Sequence, residues 1–311
     1  MKIVVLGPGA IGCLVAAFLS KTKEDVWLLD KDKNRAHKLQ SQGIFVEGMG
    51  NPWHAVVKVS ADAKAIGEAD VLIVCVKCYD TKTAIKSAKP CIGRNTYVVT
   101  LQNGLGNIEN IGEIIGQERL LAGITNQGST LIGVGKVRHA GKGETSIGRI
   151  DGEFPVELRQ IRDIFNKSGW ETKISRDIKV LVWSKLVVNV GINVLTALTR
   201  LPNGKIVEYE GTRRLMRQAV TEAVKVAKRK RVKLLYDDPL AKVESVCEAT
   251  STNVCSMLQD VLNHRRTEVD YVNGVIVRHA QELGIAAPVN TVLVDLIKTV
   301  ESSYDAQVDI P

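Results

Sequence analysis

Lys2-Ile3-Val4-Val5-Leu6-Gly7-Pro8-Gly9-Ala10-Ile11-Gly12 decides the fold. A continuous apolar run of this length suits a parallel strand buried on both faces. It opens into G-x-G-x-x-G, an alanine-rich helix over 13–21 follows, and a second strand, 25–30, ends in an acid. Between a strand and a helix the glycine pattern has a mechanism. The first glycine allows a tight turn, the second lets the backbone approach a pyrophosphate, and the third lets helix and strand pack closely. The first amides of the helix then face the phosphates. Gly7, Pro8, Gly9, Ala10, Ile11 and Gly12 are therefore assigned to a dinucleotide.

Asp30 follows Gly12 by 18 residues, near the spacing at which a carboxylate meets the adenosine ribose hydroxyls. An acid there favours NADH over NADPH, since a carboxylate about 4 Å from a 2′-phosphate costs about 1–4 kcal/mol. Lys31, Lys33 and Arg35 argue the other way, because they could screen or turn toward that phosphate.

The alternation continues outward from this unit. A polar helix is expected over 34–42, extended segments at 44–46 and 56–59, and a buried strand over 70–77. Lys77 would emerge at the carboxyl edge of the sheet, where open α/β folds bind ligands. A helix over 81–89 and a strand over 96–101 lead into Gln102-Asn103-Gly104. Asn103 shares that edge, and it reads equally as turn chemistry and as a site residue. Glycine-rich, strand-like runs over 120–150 read as antiparallel strands closing one side of the sheet. A helix over 155–168 and a short strand over 170–174 end this half. After Ser175 only helical periodicity remains. The expected organisation is a Rossmann-like dinucleotide-binding α/β domain over 1–175 and an all-helical domain over 176–311.

The 311 residues carry a net charge of +8, with 45% hydrophobic and 24% charged residues, the balance of a globular protein. The cations are scattered and aromatics are only 5%, too few for base-stacking platforms, so no nucleic-acid partner is expected. The densest basic stretch, 225–233, reads as the exposed end of an amphipathic helix. Six cysteines and no leader pattern point to a reducing cytoplasm. Cys75 and Cys78 form a lone C-x-x-C inside a strand and its end, which favours packing over metal. No membrane span is expected, because the longest apolar run carries a charge near its middle.

That run, Val180 to Leu195, is too long for a strand and reads as a buried helix. Lys185, Asn189 and Asn193 fall at i, i+4 and i+8 on it, an arc of about 80°. Burying an ammonium and two carboxamides without partners costs on the order of 1–3 kcal/mol each. An internal polar network would account for two asparagines; the lysine shifts the balance toward a site, since burial lowers a lysine's pKa into the range of proton exchange. This helix is expected to form one wall of a catalytic cleft and the N-terminal half the other. Further along, Thr267 reads as a helix N-cap completed by Asp270, which leaves Glu268 to face Lys185 or the cofactor. Asp260 could pair with Arg265 or Arg266 on a surface. A nicotinamide-binding half joined to a half with a buried lysine suggests carbonyl reduction, with Lys185 as the general acid.

G-P-G-A-I-G, V-K, Q-N-G, W-S-K-L-V-V-N-V-G-I-N, P-N-G, S-M-L-Q-D and R-R-T-E-V-D-Y-V-N-G occur in this order along nearly the whole chain. The sequence thereby resembles the 2-dehydropantoate 2-reductases, the ketopantoate reductases of pantothenate and coenzyme A synthesis. The resemblance implies an NAD(P)H-dependent oxidoreductase acting on a small 2-oxo acid. It makes Lys185 the proton donor, places Asn189, Asn193, Asn203 and Ser256 against substrate, and sets Asn103 against both substrate and nicotinamide. Lys77 would approach the cofactor, and Glu268 would line the site beside Lys185 and the cofactor. Ser129 stands where the family's nicotinamide loop usually has alanine. Asp30 is the larger departure, since many members prefer NADPH and lack an acid there. No metal is implied, and a homodimer is compatible with the C-terminal helix over 289–302. Two alternatives remain open: a mandelate-type D-2-hydroxyacid dehydrogenase on the same scaffold, and a non-catalytic nucleotide sensor, which would be expected to lose Lys185.

Overall fold

The computed structural model describes residues 1–307, and the chain divides into two compact units. The first holds Met1–Gln102 and Asn107–Ile178. The second holds Asn103–Gly106 and the chain from Lys179 onward. The change of unit falls three residues later than the sequence expectation, and a short loop of the first half belongs with the second unit.

The strands of the first unit are β1 (Lys2–Leu6), β2 (Asp25–Leu29), β3 (Ile44–Gly48), β4 (Trp53–Ala55), β5 (Lys58–Ser60), β6 (Ala69–Val74), β7 (Ile92–Thr100), β8 (Leu120–Thr125), β9 (Gly128–Gly133), β10 (Lys136–Gly141), β11 (Thr145–Gly148) and β12 (Thr172–Ile174). Its helices are α1 (Ala10–Leu19), α2 (Lys33–Gln42), α3 (Ala63–Ile66), α4 (Thr81–Ser87), α5 (Asn107–Ile115) and α6 (Val156–Lys167). The main sheet runs β12-β11-β8-β7-β6-β1-β2-β5, and its pairings from β5 to β8 are parallel. This is a Rossmann-like α/β arrangement.

The continuous apolar run of β1 is explained by burial on both faces. Ile3 and Val5 pack into a core with α1, α6 and Trp170, whereas Val4 and Leu6 pack into one with α3, α4 and α5. The run over 120–150 departs from expectation. β8 is parallel to β7, and β9 and β10 leave the main sheet for a second one ordered β4-β3-β10-β9. Only β11, antiparallel to β8, closes the main sheet as expected. Phe18 of α1 joins the two layers through edge-on contacts with Trp53, His139 and Trp170. Cys78 is buried and its sulfur accepts from Asn107 Nδ2 at 3.3 Å, a packing role.

The second unit is built of α7 (Ile178–Thr199), α8 (Lys205–Glu208), α9 (Glu210–Arg229), α10 (Pro239–Ala249), α11 (Ser256–Leu262), α12 (Asn273–Glu282) and α13 (Pro288–Ser302). By length and hydropathy α7 passes for a membrane span, contrary to the sequence expectation, but it is 67% buried in the protein, as a core helix is. Gly191 lets it approach its neighbours: a Cβ there would lie 2.8 Å from Val220 Cγ2 and 2.9 Å from Val243 Cγ1. A buried polar network locks the same helix in register. Asn273 Nδ2 donates to Val190 O of α7 and to Asn290 Oδ1, while Asn290 Nδ2 donates to Ala219 O and to Glu222 Oε2. Glu222 also accepts the amides of Val289 and Asn290, capping α13.

Candidate active site

Helix α7 presents Lys185, Asn189 and Asn193 along one face, as the i, i+4, i+8 spacing requires. Exposure falls along that face: Lys185 and Asn189 are half-buried and Asn193 is buried. Desolvation of the Lys185 ammonium lowers its pKa from 10.5 to about 8. At neutral pH the group still carries its proton, yet releases it far more readily than a surface lysine.

Within the second unit, Asn103, Asn193, Ser256, Met257, Asp260, Glu268 and Val272 line one pocket. Asn103 reaches it because its loop is anchored there. Leu105 N donates to Tyr271 O at 3.0 Å, and Gly104, at φ +80°, lies so close that a Cβ would sit 2.3 Å from the same oxygen. The Asn-Gly pair therefore makes a turn and delivers a site residue at once.

Glu268 does not sit in a capped α-helix, as the T-x-x-D pattern suggests. It precedes a short 3-10 turn, Val269–Tyr271, and α12 begins only at Asn273. Thr267 gives its backbone amide and its hydroxyl hydrogen to Glu301 Oε1 at 2.8 and 2.6 Å while its hydroxyl oxygen accepts from Val269 N at 3.2 Å, and Asp270 accepts from Lys298 Nζ at 2.6 Å. Two side chains of α13 thus grip the segment on either side of Glu268. Asp260, which could have paired on a surface, is 5% exposed and lines the pocket. It stands one turn beyond Ser256 on α11.

The remaining polar segments are tied to one another. Cys255 Sγ lies 2.9 Å from Thr196 Oγ1 and accepts from Leu258 N, which sets the start of α11 beside the end of the Asn193 turn. Asn203 N donates to Asn253 O and Gly204 N to Ser251 O, so the P-N-G turn lies along the segment that enters α11.

In the first unit, a second constellation forms where β1, β2 and β6 end in register. Gly7 has φ +102°, and a Cβ on Gly12 would sit 1.9 Å from Gly7 O. At Gly9 a Cβ would meet nothing nearer than Cys75 O at 3.9 Å, so the backbone is open to close approach. No side chain caps α1, which leaves its first amides without a side-chain acceptor. Asp30 is buried and accepts from Arg35 Nε at 2.6 Å and Arg35 Nη2 at 2.5 Å. Lys77 follows β6 at the same edge, where Gln102 Nε2 donates to Val76 O and to Thr81 Oγ1. Ser129 lies on β9 opposite His139, its hydroxyl enclosed and without a partner among the described residues.

The ketopantoate reductase PanE/ApbA family model matches residues 3–152, and the model of that family's C-terminal part matches 177–301. The chain belongs to the ketopantoate reductase family. A 2-dehydropantoate 2-reductase of Halobacterium salinarum is 36% identical over 96% of this chain and 98% of its own length. One of Pyrococcus horikoshii is 34% identical over 97% and 98%. Among solved structures, a PanE/ApbA family ketopantoate reductase of Ralstonia eutropha superposes with TM-score 0.90 at 30% identity, over 98% of this chain and all of its own. D-mandelate dehydrogenase with NADH and anilino(oxo)acetate superposes with TM-score 0.93 at 24% identity over 98% and 100%, a likeness of fold alone.

Of the residues implied by likeness to ketopantoate reductases, the second unit gathers Asn103, Asn193, Ser256 and Glu268 around one pocket, with Lys185 and Asn189 on the Asn193 face of α7. The first unit carries the glycine loop, Asp30, Lys77 and Ser129. Sequence reasoning gave Gln102 no role and left Asp260 open to a surface pair. The S-M-L-Q-D spacing held a signal for the latter, because Ser256 and Asp260 must share a helix face.

Proposed function

We propose that the chain is a 2-dehydropantoate 2-reductase, reducing ketopantoate to pantoate with NAD(P)H in the synthesis of pantothenate and coenzyme A. The observation that carries the reading is Lys185: a lysine with its pKa lowered to about 8, aligned with two asparagines, in a unit whose pocket holds a further amide, a serine and two carboxylates. The names of the full-length relatives support the same substrate.

The glycine loop fits a dinucleotide, since its open Gly9 backbone and uncapped helix start suit a pyrophosphate. The hydride for the ketone carbon would come from a dihydronicotinamide held by that loop. Lys185 holds its proton at Nζ and delivers it to the oxygen as negative charge develops there. Asn103, Asn189, Asn193, Asn203 and Ser256 orient the hydroxyl and carboxylate ends of the substrate, and Glu268 sets the charge beside the lysine. Asp30 favours NADH, a preference tempered by Arg35: with the guanidinium on its carboxylate, the pair can offer the cation to a 2′-phosphate or, with Arg35 displaced, the acid to ribose hydroxyls.

The test is the initial rate of NADH and of NADPH oxidation by the purified protein, with ketopantoate and, separately, benzoylformate. Ketopantoate-dependent oxidation is expected. Faster turnover of benzoylformate would move the assignment to the mandelate-type enzymes, and oxidation with neither would leave a nucleotide sensor.

A further inference from the structure

Asn203 is 8% exposed, and its two amide atoms are in different states. Nδ2 donates to Thr250 Oγ1 at 2.9 Å, whereas Oδ1 is enclosed and has no hydrogen-bond partner among the described residues. The orientation of a carboxamide is ordinarily ambiguous, because its oxygen and nitrogen are nearly alike in shape. Here Thr250 resolves it. Its hydroxyl has a single hydrogen, and that hydrogen goes to Val246 O at 2.6 Å, one turn back in α10. Thr250 Oγ1 can then only accept, so the NH2 of Asn203 must face it and the oxygen must face away.

A buried carbonyl oxygen without a donor is costly, and it selects what will satisfy it. It repels a carboxylate and welcomes an O–H or N–H. Asn203 also lies against the segment that leads into the pocket: its backbone N–H donates to Asn253 O at 3.0 Å, three residues before Ser256 of the pocket lining.

We infer that Thr250 is a specificity-determining positioning residue: by fixing the Asn203 amide with its oxygen turned away from Thr250, it sets an acceptor that selects 2-oxo acids bearing a hydroxyl group. The inference rests on the proposed reductase reading and narrows it. Ketopantoate carries such a hydroxyl on its terminal carbon. Its analogue 3,3-dimethyl-2-oxobutanoate has the same skeleton with hydrogen in that place, and benzoylformate has none. Thr250→Val keeps the shape but removes the acceptor, so the amide is free to turn over. Thr250→Ser keeps the hydroxyl.

The experiment compares kcat and KM for ketopantoate and for 3,3-dimethyl-2-oxobutanoate in the natural protein, Thr250→Val and Thr250→Ser. The natural protein is expected to prefer ketopantoate. In Thr250→Val, kcat/KM for ketopantoate should fall about tenfold, mainly through KM, the scale of one neutral hydrogen bond. The value for the analogue should stay within about twofold, and Thr250→Ser should restore the preference. Equal losses on both substrates would overturn the inference, since a merely structural threonine lowers both alike. A natural protein that uses the two substrates equally well would overturn it too, while leaving ketopantoate reduction standing. A natural protein that reduces neither would sink the reductase reading first and this inference with it.

Discussion

The glycine loop of the first unit and the polar face of the second solve opposite problems. The loop is shaped by lacking side chains: Gly7 needs a positive φ, Gly12 has no room for a Cβ, and Gly9 leaves the backbone bare. The polar face is made by side chains, several of them where an apolar helix should have none, and those come from four separate segments, at Asn103, 185–193, 256–260 and Glu268. The first is contiguous and local. The second exists only because α7, the loop at Leu105 and the turn held by Glu301 are brought together. A site made of backbone is therefore sensitive to any added atom, and a site made of side chains is sensitive to chemistry and to distant anchors.

The sharpest way to break this contrast is chemical. Lys185→Ala should lower turnover by about 10²–10⁴ while cofactor affinity, measured by fluorescence titration, changes little. Unchanged turnover would remove the lysine from the mechanism. The same residue sets a pH signature. Reduction needs the ammonium, whose pKa stands near 8, so kcat should fall as pH rises through that value and the reverse oxidation should rise. Lys185→Ala should flatten that limb; a profile identical in the variant would assign it to another group.

The steric counterpart is Gly12→Ala. Its Cβ would have to displace Gly7 O, so cofactor binding should weaken by about tenfold or more at any substrate concentration. Binding that survives would mean that the loop opens without penalty. A third variant tests support instead of contact. Gly191→Ala would press a methyl against Val220 and Val243 and should cost about 1–3 kcal/mol in denaturant unfolding. A variant of native stability would show that α7 has slack against α9 and α10. The smallest effect lies at the ribose end. Arg35→Ala should raise the NADH to NADPH preference by about tenfold, and Asp30→Asn should shift it the other way by a similar factor. If the two shifts had the same sign, the pair would not act as a selector.

The second unit was legible in its elements but not in its connections. Lys185, Asn189 and Asn193 announce themselves because an ammonium and two amides in an apolar helix demand partners. Thr267 and Asp270 read as a helix start because T-x-x-D is a capping pattern; the structure ties Thr267 to Glu301, 34 residues away in the chain. Strand assignments over 120–150 failed in partnership and not in kind, since a strand's period says which face is buried and nothing about which strand lies beside it. Thus β9 and β10 went to a second sheet.

By itself the sequence determined whatever depends on local geometry: the buried strand, the glycine turn, the helix that follows, and the face shared by residues four apart. These follow from backbone sterics and fixed periodicity, which act within a few residues. Tertiary structure alone decided what depends on contacts across the chain. Asn103 belongs with the helical unit, Asp260 is in the pocket, and Thr250 fixes the orientation of Asn203. Hydrogen-bond partners and desolvation are properties of what packs nearby, and no spacing along the chain encodes them.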